Sequence, residues 1–185
     1  MVTVRLILGG ARSGKSSFAE QLAKSKVRFD STKALHYVAT AIAFDEEMET
    51  RIQHHQNQRG NGWIEHECPY ELAQTLEQLS SDDVVLVDCL TLWLNNVIYN
   101  HGQMRDSKQI ELVIRHLIDV LKQSRADITL VSNEVGMGLT PEGEVSRLFI
   151  EYAGLMNQWI GELSSEVIFV AAGLAKVLKG PNSEL

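Results

Sequence analysis

The sequence predicts an α/β fold, a mainly parallel sheet with helices on both faces, built as one domain over residues 1–185. Three observations carry this reading. Strand-like and helix-like stretches alternate along the chain. Two short runs, Val84-Val85-Leu86-Val87 and Ile128-Thr129-Leu130-Val131, keep the uninterrupted β-rich character of strands covered on both faces. A glycine-rich stretch, Gly9 to Gly14, stands between the first strand and the first helix. No repeat, low-complexity tract or Pro/Ser-rich linker divides the chain.

In chain order, Val2 to Leu8 is β-rich and stops at Gly9-Gly10, and Ser16 to Ala23 then carries apolar residues at helical spacing. Leu35 to Ala39 reads as a second strand. A charged helix is expected from about Asp45 to Arg59, with Met48, Ile52 and His55 on one face, broken by Gly60-Asn61-Gly62. Trp63 to Glu67 reads as a small strand. Pro69 suits the first turn of a helix running through Leu72, Leu76 and Leu79, which Asp82-Asp83 ends. Val84 to Asp88 is a buried strand ending in an acid. Helices over Leu90 to Tyr99 and Ser107 to Ser124 follow, separated by Asn100-His101-Gly102, which reads as a mobile loop. Ile128 to Ser132 is the next buried strand. Thr140-Pro141 has the form of an N-cap and first position of a helix reaching about Leu163, Glu166 to Ala171 is the last strand, and Lys179 to Leu185 reads as a frayed tail.

Gly9-Gly10-Ala11-Arg12-Ser13-Gly14-Lys15-Ser16 satisfies G-x-x-x-x-G-K-[ST], and it sits between strand and helix as that motif must. Glycines let the loop turn its backbone N–H groups toward phosphate oxygens, and the helix N-terminus adds positive potential. Lys15 neutralises the β- and γ-phosphates, and the Ser16 hydroxyl can ligate Mg²⁺. Asp88 stands where such a fold places the acid that orients the metal, directly or through water. Glu67 and Glu134 lie at or near strand ends, where a glutamate by itself reads as a solvated turn residue.

Seventeen Lys and Arg against 24 Asp and Glu give a net charge of −7, which argues against a broad nucleic-acid or anionic-membrane surface. The anion site is therefore local. Cys68 and Cys89 lie far apart, with no CxxC or Cys/His cluster, so neither a disulfide framework nor structural zinc is indicated and a reducing, cytoplasmic location is expected. The apolar run Val2 to Leu8 is too short for a signal peptide's core or a membrane span. His54 and His55 point about 100° apart on a helix, so at most one faces the body of the protein, and Met48 and Ile52 select His55. A neutral imidazole there is a competent nucleophile toward phosphorus. His36, His66, His101 and His116 show no metal-ligand spacing and read as structural, and Met156 and Trp159 read as core.

These segments resemble, essentially end to end, the bifunctional adenosylcobinamide kinase/adenosylcobinamide-phosphate guanylyltransferase family of bacterial cobalamin biosynthesis. The likeness rests on Gly9 to Ser16, Tyr37-Val38-Ala39-Thr40, Asp45-Glu46-Glu47-Met48 with Arg51-Ile52-Gln53-His54-His55, Asp88-Cys89-Leu90-Thr91-Leu92-Trp93, and Asn133-Glu134-Val135-Gly136-Met137-Gly138. The resemblance implies a RecA-like P-loop fold and two reactions at one nucleotide site. The aminopropanol hydroxyl of adenosylcobinamide is phosphorylated by ATP or GTP, and GMP from GTP is then transferred to that phosphate, releasing pyrophosphate. It also implies a guanylylated histidine in the charged helix, assigned to His55 by the inward face with His54 as the alternative. Ala39, Thr40, Ala41, Gln56, Asn57, Gln58, Arg59, Glu67 and Asp88 are implied to line the guanine-nucleotide pocket. A homotrimer is implied as well. Some relatives carry glutamate where this chain has Asp88, whose shorter arm suits action through water. The rival readings are a small-molecule P-loop kinase without guanylyl transfer and a nucleotide-driven conformational switch. The second is disfavoured because the chain has no N-K-x-D tetrapeptide.

Overall fold

In the computed structural model, which describes residues 3–28, 30–43, 46, 50, 53 and 59–181, strand register decides which chain segments meet. β1 (Thr3–Gly9) lies parallel between β5 (Asp127–Asn133) and β6 (Glu166–Ala171), and β4 (Asp83–Asp88) lies parallel between β5 and β2 (Ala34–Ala39). β3 (Ile64–Glu67) adds a parallel edge beside β2, and β7 (Leu174–Lys179) adds an antiparallel edge beside β6. The spatial order is β3-β2-β4-β5-β1-β6-β7. The register sets Ala39 beside Asp88, Asp88 beside Val131 and Gly9 beside Asn133, so four strands end together along one rim of the sheet.

The strands bury both faces because two apolar layers cover them. Ile7, Leu35, Tyr37, Val84, Leu86 and Val131 pack with Ala19 and Ala23 of α1 (Lys15–Arg28). From the same strands, Leu6, Val38, Val85, Val87, Ile128 and Leu130 belong to the opposite cluster, formed with α2 (Leu72–Glu77), α3 (Leu90–Tyr99), α4 (Ser107–Gln123) and α5 (Glu144–Leu163). At the far rim, the buried Arg5 guanidinium bonds Glu166 at 2.7 Å and also pairs with Asp127, tying the starts of β1, β5 and β6 together.

Several expected boundaries move for physical reasons. The helix expected at Pro69 begins at Leu72 and ends before Leu79, because the Pro69 and Tyr70 carbonyls accept from Asn96 Nδ2 and Trp93 Nε1, at 3.0 and 2.9 Å, instead of starting a helical ladder. Thr140-Pro141 does not open α5. The chain stays irregular until the extended Gly143, and Arg147 Nη1 donates to the Pro141 carbonyl at 3.3 Å across this approach. Asn100-His101-Gly102 is a single 3₁₀ turn fastened by Arg105 Nη2 to Asn100 Oδ1 at 2.7 Å. Glu166 to Ala171 is not the last strand, since β7 follows it. Lys179, expected in a frayed tail, ends β7 and donates to the Gly161 and Glu162 carbonyls at the end of α5.

Of the charged helix, Glu46, Thr50, Gln53 and Arg59 have helical backbone, and the chain turns after it with positive φ at Gly60 and Gly62. Met48, Ile52, His54, His55, Gln56, Asn57 and Gln58 lie outside the described residues.

Candidate functional site

The rim where β1, β2, β4 and β5 end is where open parallel sheets bind ligands. Here β1 gives way to the Gly9–Ser16 loop, which packs so closely that side chains are excluded. A Cβ on Gly9 would stand 2.4 Å from the Val170 carbonyl oxygen, and Gly14 has φ +95° with Gly173 Cα 3.2 Å from where its Cβ would be. Gly173 N–H donates to the Ser13 carbonyl at 2.8 Å, so the β6–β7 turn braces the loop from behind. Arg12 itself takes a positive φ of 54° and is exposed.

Lys15 is buried, and its Nζ donates to the Gly10 carbonyl at 3.0 Å, holding the ammonium over the loop's concave side. The Ser13 hydroxyl is buried without a protein hydrogen-bond partner among the described residues, a donor suited to a phosphate oxygen. Ser16 and Asp88 are part-exposed oxygen donors, the hard ligand type that Mg²⁺ takes. Ala11 is exposed and Gly10 leaves open space at its Cα, so nothing crowds the mouth of the loop.

On the other side of Asp88 stands a cluster around Arg59, which the sequence named as a pocket residue, joined by Tyr37 and Trp63, to which it gave no role. Tyr37 Oη donates to Asp88 Oδ2 at 3.2 Å, fixing one carboxylate oxygen and leaving the other for a ligand. The Arg59 guanidinium lies 3.5 Å above the Tyr37 ring and donates from Nη2 to Glu65 at 2.9 Å. Lys24 Nζ donates to the Arg59 carbonyl at 2.6 Å, and Trp63 meets Tyr37 edge to face at 5.7 Å. Arg59 Nε and Trp63 Nε1 are both buried without hydrogen-bond partners among the described residues.

Glu20, one helical turn beyond Ser16, is buried beside this cluster. Burial pushes its carboxyl above the ordinary value and the Asp88 charge adds to that, while Lys24 and Arg59 oppose it. Burial, reinforced by Asp88, drives the Tyr37 phenol well above its usual range, so it remains a donor at any working pH. A cleft of about 360 Å³ along α1 is lined by Ser17, Glu20, Gln21 and Lys24.

The remaining expected positions divide. Ala39 and Ala41 are half-buried at the end of β2, whereas Thr40 is fully buried, its hydroxyl donating to the Cys89 carbonyl at 2.7 Å and accepting from Cys89 N–H at 2.8 Å. The Thr40 side chain thus clamps β2 to β4, and only its backbone neighbours face the rim. Glu67 is exposed at the end of β3. Glu134 N–H donates to the Gly9 carbonyl at 3.0 Å and its carboxylate accepts from Gly136 N–H at 2.7 Å, so it shapes the loop after β5. The sequence signal for Glu20 was its spacing of four from Ser16. Tyr37 and Trp63 carried no local signal of a site, because strand register brings them to Asp88.

A family model described as cobinamide kinase / cobinamide phosphate guanyltransferase matches residues 5–178. The chain is 43% identical over 176 residues to the bifunctional adenosylcobalamin biosynthesis protein CobP of Pseudomonas aeruginosa, covering 95% of this chain and 96% of that protein. It is 36% identical to the bifunctional adenosylcobalamin biosynthesis protein CobU of Salmonella typhimurium, over 94% of this chain and 98% of that one. Among solved structures, the flagellar accessory protein FlaH from Methanocaldococcus jannaschii superposes with TM-score 0.52 at 15% identity, covering 99% of this chain and 82% of that chain. A KaiC-like protein from Pyrococcus horikoshii superposes with TM-score 0.50 at 13% identity, covering 90% and 70%. At such identities these two show the fold, a RecA-like P-loop α/β arrangement.

Proposed function

This chain belongs to the cobinamide kinase / cobinamide phosphate guanyltransferase family, and from that premise we propose that residues 1–185 act as one domain whose single P-loop site serves both reactions. The protein is a bifunctional transferase of adenosylcobalamin biosynthesis, acting on a corrinoid with nucleotide triphosphates. The observation that carries the two-reaction reading is the family match across 5–178 on a chain whose Gly9–Ser16 loop has a nucleotide-binding build.

In the kinase step the aminopropanol hydroxyl of adenosylcobinamide attacks the γ-phosphorus of ATP or GTP, the bond to the bridging oxygen breaks, and a nucleoside diphosphate leaves. In the second step a nitrogen of His55 attacks the α-phosphorus of GTP and pyrophosphate leaves. The corrinoid phosphate oxygen then attacks the guanylyl phosphorus, the P–N bond breaks, and adenosylcobinamide-GDP forms. Both steps depend on in-line positioning and charge neutralisation more than on proton transfer. Lys15, held over the loop, supplies one fixed positive charge, and the backbone N–H groups of Gly10 to Ser16 supply partial ones. Ser16 and Asp88 would hold Mg²⁺, which would spread the phosphate charge. Tyr37 orients Asp88 for that task. Arg59 Nε and Trp63 Nε1, with Ala39 and Ala41, form the wall for the guanine nucleotide, whose O6/N7 edge carries acceptors; Gln56, Asn57 and Gln58 are assigned to the same nucleotide by the family resemblance. His54 is the alternative nucleophile.

The enzyme acts in the cytoplasm as a homotrimer. An open apolar edge supports assembly: every residue of β7 is exposed, Val177 and Leu178 among them. No described helix is long and apolar enough to cross a membrane.

Incubation of the purified protein with adenosylcobinamide, GTP and Mg²⁺ tests the reading, with the corrinoid products separated by chromatography. The expected products are adenosylcobinamide-GDP and pyrophosphate, both lost in Lys15→Ala. A corrinoid that gains phosphate only would identify a P-loop kinase without guanylyl transfer.

A further inference from the structure

The loop from β5 to α5 starts at the rim beside the P-loop: Asn133 pairs with Gly9 in register, and Glu134 N–H donates to the Gly9 carbonyl. Its root is fixed. Asn133 Nδ2 donates to Thr91 Oγ1 at 2.7 Å, Asn157 Nδ2 donates to the Asn133 carbonyl at 3.3 Å, and the Glu134 carboxylate holds Gly136 N–H. Its tip is the opposite. Residues 136–140 are all exposed, Met137 at 80% and Leu139 at 96%, and a Cβ at Gly138 would meet nothing within 4 Å. Two large apolar side chains are thus carried on a rigid base at the mouth of the nucleotide site, where they contribute nothing to the core.

We propose that Met137 and Leu139 form the docking surface for the corrin ring of the acceptor. The inference rests on the reading above that the acceptor is a corrinoid. Its hydroxyl must reach the γ-phosphorus over the P-loop while its macrocycle stays outside, so the ring rests on a loop next to β1. Strands lie about 4.8 Å apart, and only β5 and β6 flank β1. The β6–β7 turn is spent on bracing Ser13, which leaves the β5–α5 loop. A corrin is a broad conjugated ring whose edge carries methyl groups beside its amide arms, so part of its surface is apolar. A methionine between two glycines, with leucine two residues on, offers an adaptable apolar platform for such a face.

Steady-state kinetics of Met137→Gln, Leu139→Gln and the double variant, alongside GTP binding by equilibrium dialysis, test this. The expected result is a KM for adenosylcobinamide raised about tenfold or more in the double variant, with kcat and GTP affinity within about twofold of wild type. Independently of any variant, hydroxyl-radical oxidation of Met137 in the wild-type protein is expected to slow when adenosylcobinamide is added and not when GTP is added alone. An unchanged corrinoid KM in an active enzyme, or no protection of Met137, overturns the docking surface and leaves the family function standing. Failure of the wild type to turn over adenosylcobinamide would instead bring down the corrinoid reading on which the inference rests. A raised KM accompanied by dissociation in sedimentation velocity and no Met137 protection would overturn it in favour of a contact between copies of this chain.

Discussion

At the scale of single residues, the site is built by atoms that leave no room for change or by atoms held ready for a ligand. Gly9 is the first kind. A Cβ there would collide with the Val170 carbonyl and the Ser13 hydroxyl, and neither can move without shifting β6 or the loop. Gly9→Ala is expected to destabilise the fold by about 1–3 kcal/mol and to weaken nucleotide binding, as measured by urea denaturation and GTP titration. Thr40 is similar: Thr40→Val leaves the buried Cys89 N–H without its acceptor, while the Cys89 carbonyl keeps the Trp93 N–H, a cost of about 1–3 kcal/mol readable in the same denaturation experiment. Tyr37 is the second kind. Tyr37→Phe keeps the ring under Arg59 and removes only the hydrogen bond to Asp88, so the expected effect is a weaker apparent Mg²⁺ affinity in activity titrations with stability nearly unchanged.

At the scale of elements, Arg5 joins three strands through two part-buried ion pairs, and Arg5→Ala leaves the part-exposed Asp127 and Glu166 carboxylates without their shared cation. The expected loss is about 1.5–3 kcal/mol, seen as a lowered thermal midpoint. The elements most legible in the sequence were those whose pattern and neighbours agree. Val84 to Asp88 and Ile128 to Ser132 read as strands because both faces are covered, and Leu90 to Tyr99 read as a helix with its observed ends. Where local signals conflicted with tertiary partners, the partners won. Pro69 and Thr140-Pro141 both have the form of helix starts, yet the carbonyls beside them are taken by side chains from elsewhere. β7 was missed because Leu174, Val177 and Leu178 lack two-residue alternation, and the strand is exposed on both faces. In the site, the P-loop and Asp88 were legible since each is a local pattern, whereas the Tyr37–Arg59–Trp63 cluster depends on which strands adjoin.

At the scale of the whole molecule, the fold is expected to lose stability in mild acid. His36 sits between Asp83 and His66, with Nε2 3.1 Å from Asp83 Oδ1 and Nδ1 2.9 Å from His66 Nε2. Burial, then the neighbouring His36, holds His66 below its ordinary value of 6.5, with Asp83 opposing. For Asp83, burial pushes upward, but hydrogen bonds from Ser80 and contact with His36 outweigh it and leave the carboxyl below its ordinary 3.8. In both cases the unfolded chain binds the proton first, so stability falls as pH drops below 6.5 through the His66 shift, and again below 3.8 through that of Asp83. The raised Glu20 carboxyl acts with the opposite sign just above 4.5. His66→Gln should therefore flatten the decline in denaturation midpoints as pH falls below 6.5. The central claim is that one P-loop site carries both phosphoryl and guanylyl transfer, the second through a histidine. Intact mass of the protein after incubation with GTP and Mg²⁺, kept from acid because a phosphoramidate hydrolyses there, tests it most directly. A GMP adduct on wild type and His54→Ala that is absent from His55→Ala is the expected result. An adduct lost only in His54→Ala would keep the mechanism and move the nucleophile to His54, whereas an adduct that survives in both variants, or no adduct and no pyrophosphate in any sample, would contradict it.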